Sequence, residues 1–97
     1  MYEINNMITI FKSGLNFTNT SLITIQLPEG SEIISLKNQD NTPTIWYMCD
    51  TDEPLEDRHF LGLCTGQRVP QDLEGDYIDT VVMYEGNFVL HIFEIYK

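Results

Sequence analysis

Five cationic side chains stand against fifteen carboxylates in this 97-residue chain, so each cation is scarce and its neighbours are informative. Arg58 and Arg68 bracket the segment Leu63-Cys64-Thr65-Gly66-Gln67. A threonine hydroxyl, the Gly66 backbone N–H and an arginine fork are groups that hold phosphate oxygens well. Phe11 stands beside Lys12, which places a ring next to a cation. Trp46 and Tyr47 are adjacent, so on a strand they face opposite ways, one to the core and one accessible. An accessible ring stacked on a nucleobase contributes about 1–3 kcal/mol per base. Plainer roles compete at three of these positions. Arg58 can simply neutralise Glu56 and Asp57, Trp46 can be a core residue, and Phe11 can be a core or interface residue. Lys37 and Lys97 read as ordinary exposed residues.

Other chemistries find less support. His59 and His91 are the two histidines and fall in no HxH, HxxxH or Cys/His pattern, so the zinc signal is weak. Asp50-Thr51-Asp52-Glu53 looks like the start of a calcium loop. The later Gly and Glu of an EF-hand are missing, and Pro54 intrudes. A solvated charge run is the better account. There is no GxSxG and no P-loop, and Gly62 and Gly66 do not match a phosphate-loop spacing. Cys64 and His59 have opposite parity on one strand, which argues against a Cys–His dyad. The residues point to a binding protein, not an enzyme, with no metal and no cofactor.

The elements that must position these groups are strands. Ser21–Leu27 alternates, with Ile23, Ile25 and Leu27 on one face and Thr24 and Gln26 on the other. Pro28-Glu29-Gly30 closes it as a turn. Glu32–Lys37 is a second strand, Asn38–Asn41 a polar turn, and Thr44–Asp50 a third strand rich in aromatic and β-branched residues. This stretch, Ser21–Asp50, reads as a meander of adjacent antiparallel strands. Asp50–Asp57, acidic and interrupted by Pro54, reads as a surface loop or a single helical turn. Arg58–Cys64 returns to strand, Thr65-Gly66 breaks it, and Pro70–Asp76 is a second acidic loop. Tyr77–Tyr84 and Phe88–Tyr96 flank a tight turn at Glu85-Gly86-Asn87. A further strand spans Met7–Lys12. The expected fold is all-β and mainly antiparallel: one domain over residues 1–97, a small sandwich or partly open barrel of about seven strands.

Composition bounds the partners. The net charge of −10 and the pI near 4.2 leave no basic footprint for duplex DNA and no Lys/Arg cluster for anionic lipid. No apolar run is long enough to span a membrane. Met1–Ile10 lacks the basic start and apolar stretch of a secretory signal. Cys49 and Cys64 lack CxxC spacing and read as free, half-buried thiols in a reducing cytoplasm.

The ordered blocks of the chain resemble a widespread family of small bacteriophage proteins. The resemblance is carried by Leu27–Leu36, Thr44–Asp50, Arg58-His59-Phe60, Cys64–Pro70, Tyr77–Thr80 and Phe88–Glu94. It covers nearly the whole chain, and the ordered set is specific although each block alone is weak. Two positions depart from the pattern. Gln67 stands where the family has a histidine after Thr-Gly, and Phe11-Lys12-Ser13 stands in place of Trp-Lys-Tyr, so either change alters a ligand pocket. The family is similar to the anti-CBASS sponges, which sequester cyclic dinucleotide alarm signals of bacterial immunity without cleaving them. That resemblance implies a homo-oligomer, such as a tetramer, in the cytoplasm of an infected bacterium, with cyclic GMP-AMP or a related ligand bound at subunit interfaces. On this reading Phe11, Trp46 or Tyr47 stack on bases, and Lys12, Arg58 and Arg68 engage phosphates. Thr65, Gly66 and Gln67 supply hydrogen bonds. Screening confines the repulsion of the −10 charge to about 8–10 Å at cellular salt, so the cations are expected to cluster at the pocket and the acids to lie outside. The competing expectation, from the fifteen carboxylates, is an acidic nucleic-acid mimic that inhibits a host protein directly.

Overall fold

A computed structural model describes residues 7–96; the expectations that fall on Met1–Asn6 and Lys97 lie outside them. Seven strands follow in order: β1 (Ile8–Gly14), β2 (Leu22–Pro28), β3 (Glu32–Gln39), β4 (Thr42–Asp50), β5 (Leu55–Cys64), β6 (Gly75–Met83) and β7 (Phe88–Ile95). A single 3-10 turn, Tyr84–Gly86, joins the last two. The strands form two antiparallel sheets, ordered β1-β4-β3 and β2-β5-β7-β6. The all-β expectation holds, and of its two forms the open sandwich is the one adopted.

Alternation builds the core. Ile45, Tyr47 and Cys49 of β4 face Leu27 of β2, Phe60 of β5, Val81 and Met83 of β6 and Leu90 and Ile92 of β7 between the sheets. Burying each large apolar side chain contributes about 1.5–3 kcal/mol. Phe60, Leu15, Leu27, Ile45 and Ile92 are fully enclosed.

The Ser21–Asp50 meander is not formed. β3 and β4 do make a two-residue hairpin at Asp40-Asn41, but β2 pairs with β5 in the opposite sheet. The Pro28–Ser31 turn, with Gly30 at φ 79°, is an arch that carries the chain from one layer to the other. Both flanking strands then bring their apolar faces to the shared interior from opposite sheets. Period two is the same in a hairpin and an arch, so the sequence does not separate them.

The acidic segment is also shorter than expected. Only Thr51–Pro54 is a turn, and Glu56 and Asp57 lie in β5, opposite Leu27 and Gln26. Their carboxylates have partners there. Glu56 accepts from the Gly30 N–H at 3.0 Å, and Asp57 accepts from the Gln26 amide at 3.3 Å.

The cysteines part company. Cys49 is buried in the core, whereas Cys64, at the end of β5, is exposed. Burial, helped by neighbouring Asp50, raises the Cys49 thiol above its ordinary pKa and disfavours the reactive thiolate. Titration with a thiol-specific chromophore is expected to label one thiol in the native protein and both in denaturant. Two rapid native equivalents would contradict the packing of β4.

Topology dictates one further feature. β5 and β6 both pair antiparallel with β7, on its two sides, so they run parallel to each other. Cys64 ends opposite Leu90, while Gly75 begins opposite Ile95. The connection must therefore return about 17 Å along the strands and cross about 10 Å sideways over β7. Residues 65–74 make that crossing on the outer face of the four-stranded sheet. Leu61 and Leu63 point outward, away from the main core, yet are only 7% and 4% exposed because this strap covers them.

Candidate functional site

The strap bounds a cavity of about 350 Å³ lined by Leu63–Gln67, Val69, Tyr77, His91 and Phe93. Its floor is set by register. Thr80 lies opposite His91 and Tyr77 opposite Phe93, all on the outer face of β6 and β7. The His91 ring is held from both sides, by the Thr65 hydroxyl on Nε2 at 2.8 Å and the Thr80 hydroxyl on Nδ1 at 2.9 Å. Thr80 in turn meets the Tyr77 hydroxyl at 2.5 Å. The result is one chain, Thr65–His91–Thr80–Tyr77, whose hydroxyl rotors can present a donor or an acceptor to a ligand. Beside it the Tyr77 and Phe93 rings meet edge to face at 5.5 Å. A phosphate oxygen suits the chain, and a nucleobase suits the exposed Tyr77 ring.

The last three residues of the bracketed segment, Thr65, Gly66 and Gln67, meet here. Gly66, at φ 88°, turns the chain off the sheet where a side-chain-bearing residue is disfavoured. Gln67 closes that turn twice: its N–H donates to the Cys64 carbonyl, and its Oε1 accepts from the Cys64 N–H, both at 3.0 Å. Gln67 thus spends its acceptor on the loop and keeps its amide donors. Arg68 follows on the exposed strap and pairs with no carboxylate among the described residues.

The remaining expected site residues lie elsewhere. Arg58 points into the layer between the sheets, where its Nε and Nη2 make a two-pronged contact with buried Glu94 and its Nη1 donates to the Ser31 carbonyl at 2.9 Å. The hydrogen bonds to Glu94 raise the guanidinium pKa further, against a smaller lowering by burial. Glu56 stands 3.6 Å away, and Asp57 faces the opposite side of β5. Of the two carboxylates expected to neutralise Arg58, Glu56 alone is near, and the principal partner is Glu94. Tyr47, not Trp46, is the core ring. Tyr47 is buried, accepts or donates to the Ser13 hydroxyl at 3.1 Å, and meets Phe11 edge-on at 6.5 Å. Phe11 itself is half exposed at the edge of the sandwich. Trp46 and Lys12 lie opposite each other on the outer face of the three-stranded sheet, and Lys12 reaches across β4 to donate to Gln39 at 2.9 Å.

The expected clustering of cations is therefore not met within one chain. Lys12 and Lys37 lie on one outer face, Arg58 is in the interior and Arg68 is on the strap. The sheets themselves hold them apart. Tyr77, Thr80, His91 and Phe93 were not among the expected site residues, although they fall in blocks that carried the resemblance. At the far end of the strap, Tyr96 donates its N–H to the Glu74 carbonyl and its hydroxyl to Asp76 at 2.7 Å. That second bond, with burial, raises the phenol pKa. Among the described residues, no group of three or more His, Cys, Asp or Glu is placed to hold a metal. No helix there is long and apolar enough to cross a membrane.

The geometry defines a small open β-sandwich whose one outer face is crossed by a strap with a hydroxyl- and ring-lined pocket beneath it. The chain belongs to the family described as a domain of unknown function, DUF7352, whose profile matches residues 7–97. No curated protein and no solved structure matches it.

Proposed function

We propose that this protein is a phage immune-evasion protein that binds and sequesters a cyclic dinucleotide in the infected cell without cleaving it, and so blocks a CBASS-type effector. The observation that carries this reading is the meeting of Thr65, Gly66 and Gln67 with His91, Tyr77 and Phe93 in one strap-bounded pocket, with Thr80 behind it bonded to His91 and Tyr77. It offers hydroxyl groups oriented by the His91 imidazole for a phosphate, and rings for a base. The division of the other residues supports a shared site. Lys12 and Trp46 face outward from one sheet and the strap faces outward from the other, so no ligand can touch both within one chain. Two copies, packed face to opposite face, bring them together. On this reading the protein works as a homo-oligomer, such as a tetramer, whose head-to-tail contacts close into a ring.

Calorimetric titration with cyclic GMP-AMP at low salt tests the reading. Saturable heat, intact recovered nucleotide and an oligomer in native mass spectrometry are expected. Absence of heat overturns sequestration, degraded nucleotide makes the protein an enzyme, and a strict monomer removes the shared pocket.

One observation favours the second reading, an acidic nucleic-acid mimic. The Glu29 N–H donates to the Pro54 carbonyl at 2.7 Å, which gathers Glu29, Asp52, Glu53, Glu56 and Asp57 at one end of the sandwich. That reading expects charge reversal at this end, and not at the strap, to abolish activity in the host.

A further inference from the structure

A cavity larger than the one beneath the strap lies elsewhere in the described chain. About 610 Å³ of space opens between the sheets at the end where the β1–β2 loop, the Asp40-Asn41 turn and the Tyr84–Asn87 turn converge, within the usual size range of small-molecule sites of about 300–1,000 Å³. Leu15 and Leu90 close its floor. Leu90 points inward and His91 outward, so the four-stranded sheet separates this cavity from the strap pocket.

Its chemistry is distinctive because charge is missing. No Asp, Glu, Lys or Arg lines it, in a chain where these make up 21% of residues. Instead three rings, Phe17, Tyr84 and Phe88, alternate with three carboxamides, Asn16, Asn19 and Asn41. Two of the carboxamides are already oriented. Asn16 Oδ1 accepts from the Thr18 N–H, and Asn41 Oδ1 accepts from the Tyr84 N–H, both at 2.9 Å. Each then has its NH₂ group left to offer.

Backbone strain gives a second, independent sign. Every non-glycine residue with positive φ in the described chain, Asn19, Asp40, Asn41, Tyr84 and Glu85, lies in these three loops. Asp40-Asn41 is ordinary chemistry for a two-residue hairpin. Tyr84 at φ 52° is not, because a bulky side chain is an outlier there. The turn could be made by glycine, as it is two residues later at Gly86. Such strain persists where the surroundings impose it and collects at ligand clamps. Here the Asn41 side chain holds the Tyr84 N–H, and the half-exposed ring stands at the mouth of the cavity.

We propose that this cavity binds a neutral carbohydrate of mono- or disaccharide size. Rings stack on the C–H faces of a pyranose, amide groups read its hydroxyls, and an uncharged lining in an acidic chain gives an anionic ligand no counter-charge. The site is distinct from the strap pocket and does not depend on what binds there.

The test is titration of the isotope-labelled protein with lactose and with N,N′-diacetylchitobiose, followed by backbone amide shifts. Saturable shifts confined to residues 16–19, 41 and 84–88 are expected with at least one sugar. Tyr84→Gly relieves the left-handed strain while removing the ring, so it is expected to melt higher than the parent yet bind about tenfold or more weakly. No saturable shift with either sugar overturns the proposal, as do shifts mapping elsewhere. Adenosine binding here in place of both sugars overturns the carbohydrate class. Unchanged affinity in a folded Tyr84→Gly variant overturns the role of the ring.

Discussion

Arg58→Ala is expected to destabilise the protein by about 3–5 kcal/mol, because it leaves the Glu94 carboxylate uncompensated in the inter-sheet layer. The side chains are 17% and 9% exposed, far too little for water to take over the missing role. Domains of this kind have a total stability of about 5–15 kcal/mol, so the variant sits near the edge of folding. Removing both charges has a different consequence. Arg58→Met with Glu94→Leu replaces a buried ion pair by apolar volume, a change that is commonly neutral or stabilising. One cost persists, since the buried Ser31 carbonyl loses its donor, a loss of about 1–3 kcal/mol. Urea melts of the two single variants and the double variant check this. The double variant should recover most of the stability lost by Arg58→Ala. If instead Arg58→Ala melts like the parent but no longer binds nucleotide, Arg58 is a ligand cation and its contact with Glu94 is incidental.

Arg58 also marks the limit of what the sequence carries. Its neighbours Glu56 and Asp57 are visible in the chain, and a local reading assigns them as its partners. The true partner, Glu94, is 36 positions away and becomes adjacent only when β5 pairs with β7. Strand existence was legible because alternation is local: Ile23, Ile25 and Leu27 declare a face without reference to anything else. Strand partners were not, because Pro28–Ser31 serves an arch as readily as a hairpin. The strap pocket divides along the same line. Thr65, Gly66 and Gln67 could be picked out by type and spacing. His91 could have joined them, since it shares parity with Phe93 on β7 and both lie in a block already set apart by resemblance. What could not be read is the crossing itself. That residues 65–74 pass over His91 follows from β5 and β6 flanking β7 in parallel, a property of strand order alone.

His91→Phe is expected to weaken cyclic GMP-AMP binding by about 10- to 150-fold if the strap pocket holds a phosphate, the equivalent of one hydrogen bond to a charged group at about 1.5–3 kcal/mol. The ring retains the volume and the packing on Leu63, but the hydroxyls of Thr65 and Thr80 lose the group that orients them. Lys12→Ala, on the opposite face of the sandwich, removes a cation from the other half of the proposed shared pocket and is expected to weaken binding comparably. Both positions are partly exposed or exposed, so both variants should fold, and thermal melts confirm that before binding is measured. The decisive measurement mixes the two. Where each pocket takes Lys12 from one copy and His91 from its neighbour, random reassembly of equal amounts leaves about a quarter of the pockets with both native residues. Calorimetry should then find about a quarter of the parent's sites at the parent's affinity. A pocket contained within one chain cannot be restored by mixing, since every chain carries one lesion. Recovery therefore separates a site built between copies from one built within a copy, and no recovery from two folded, oligomeric variants overturns the shared pocket.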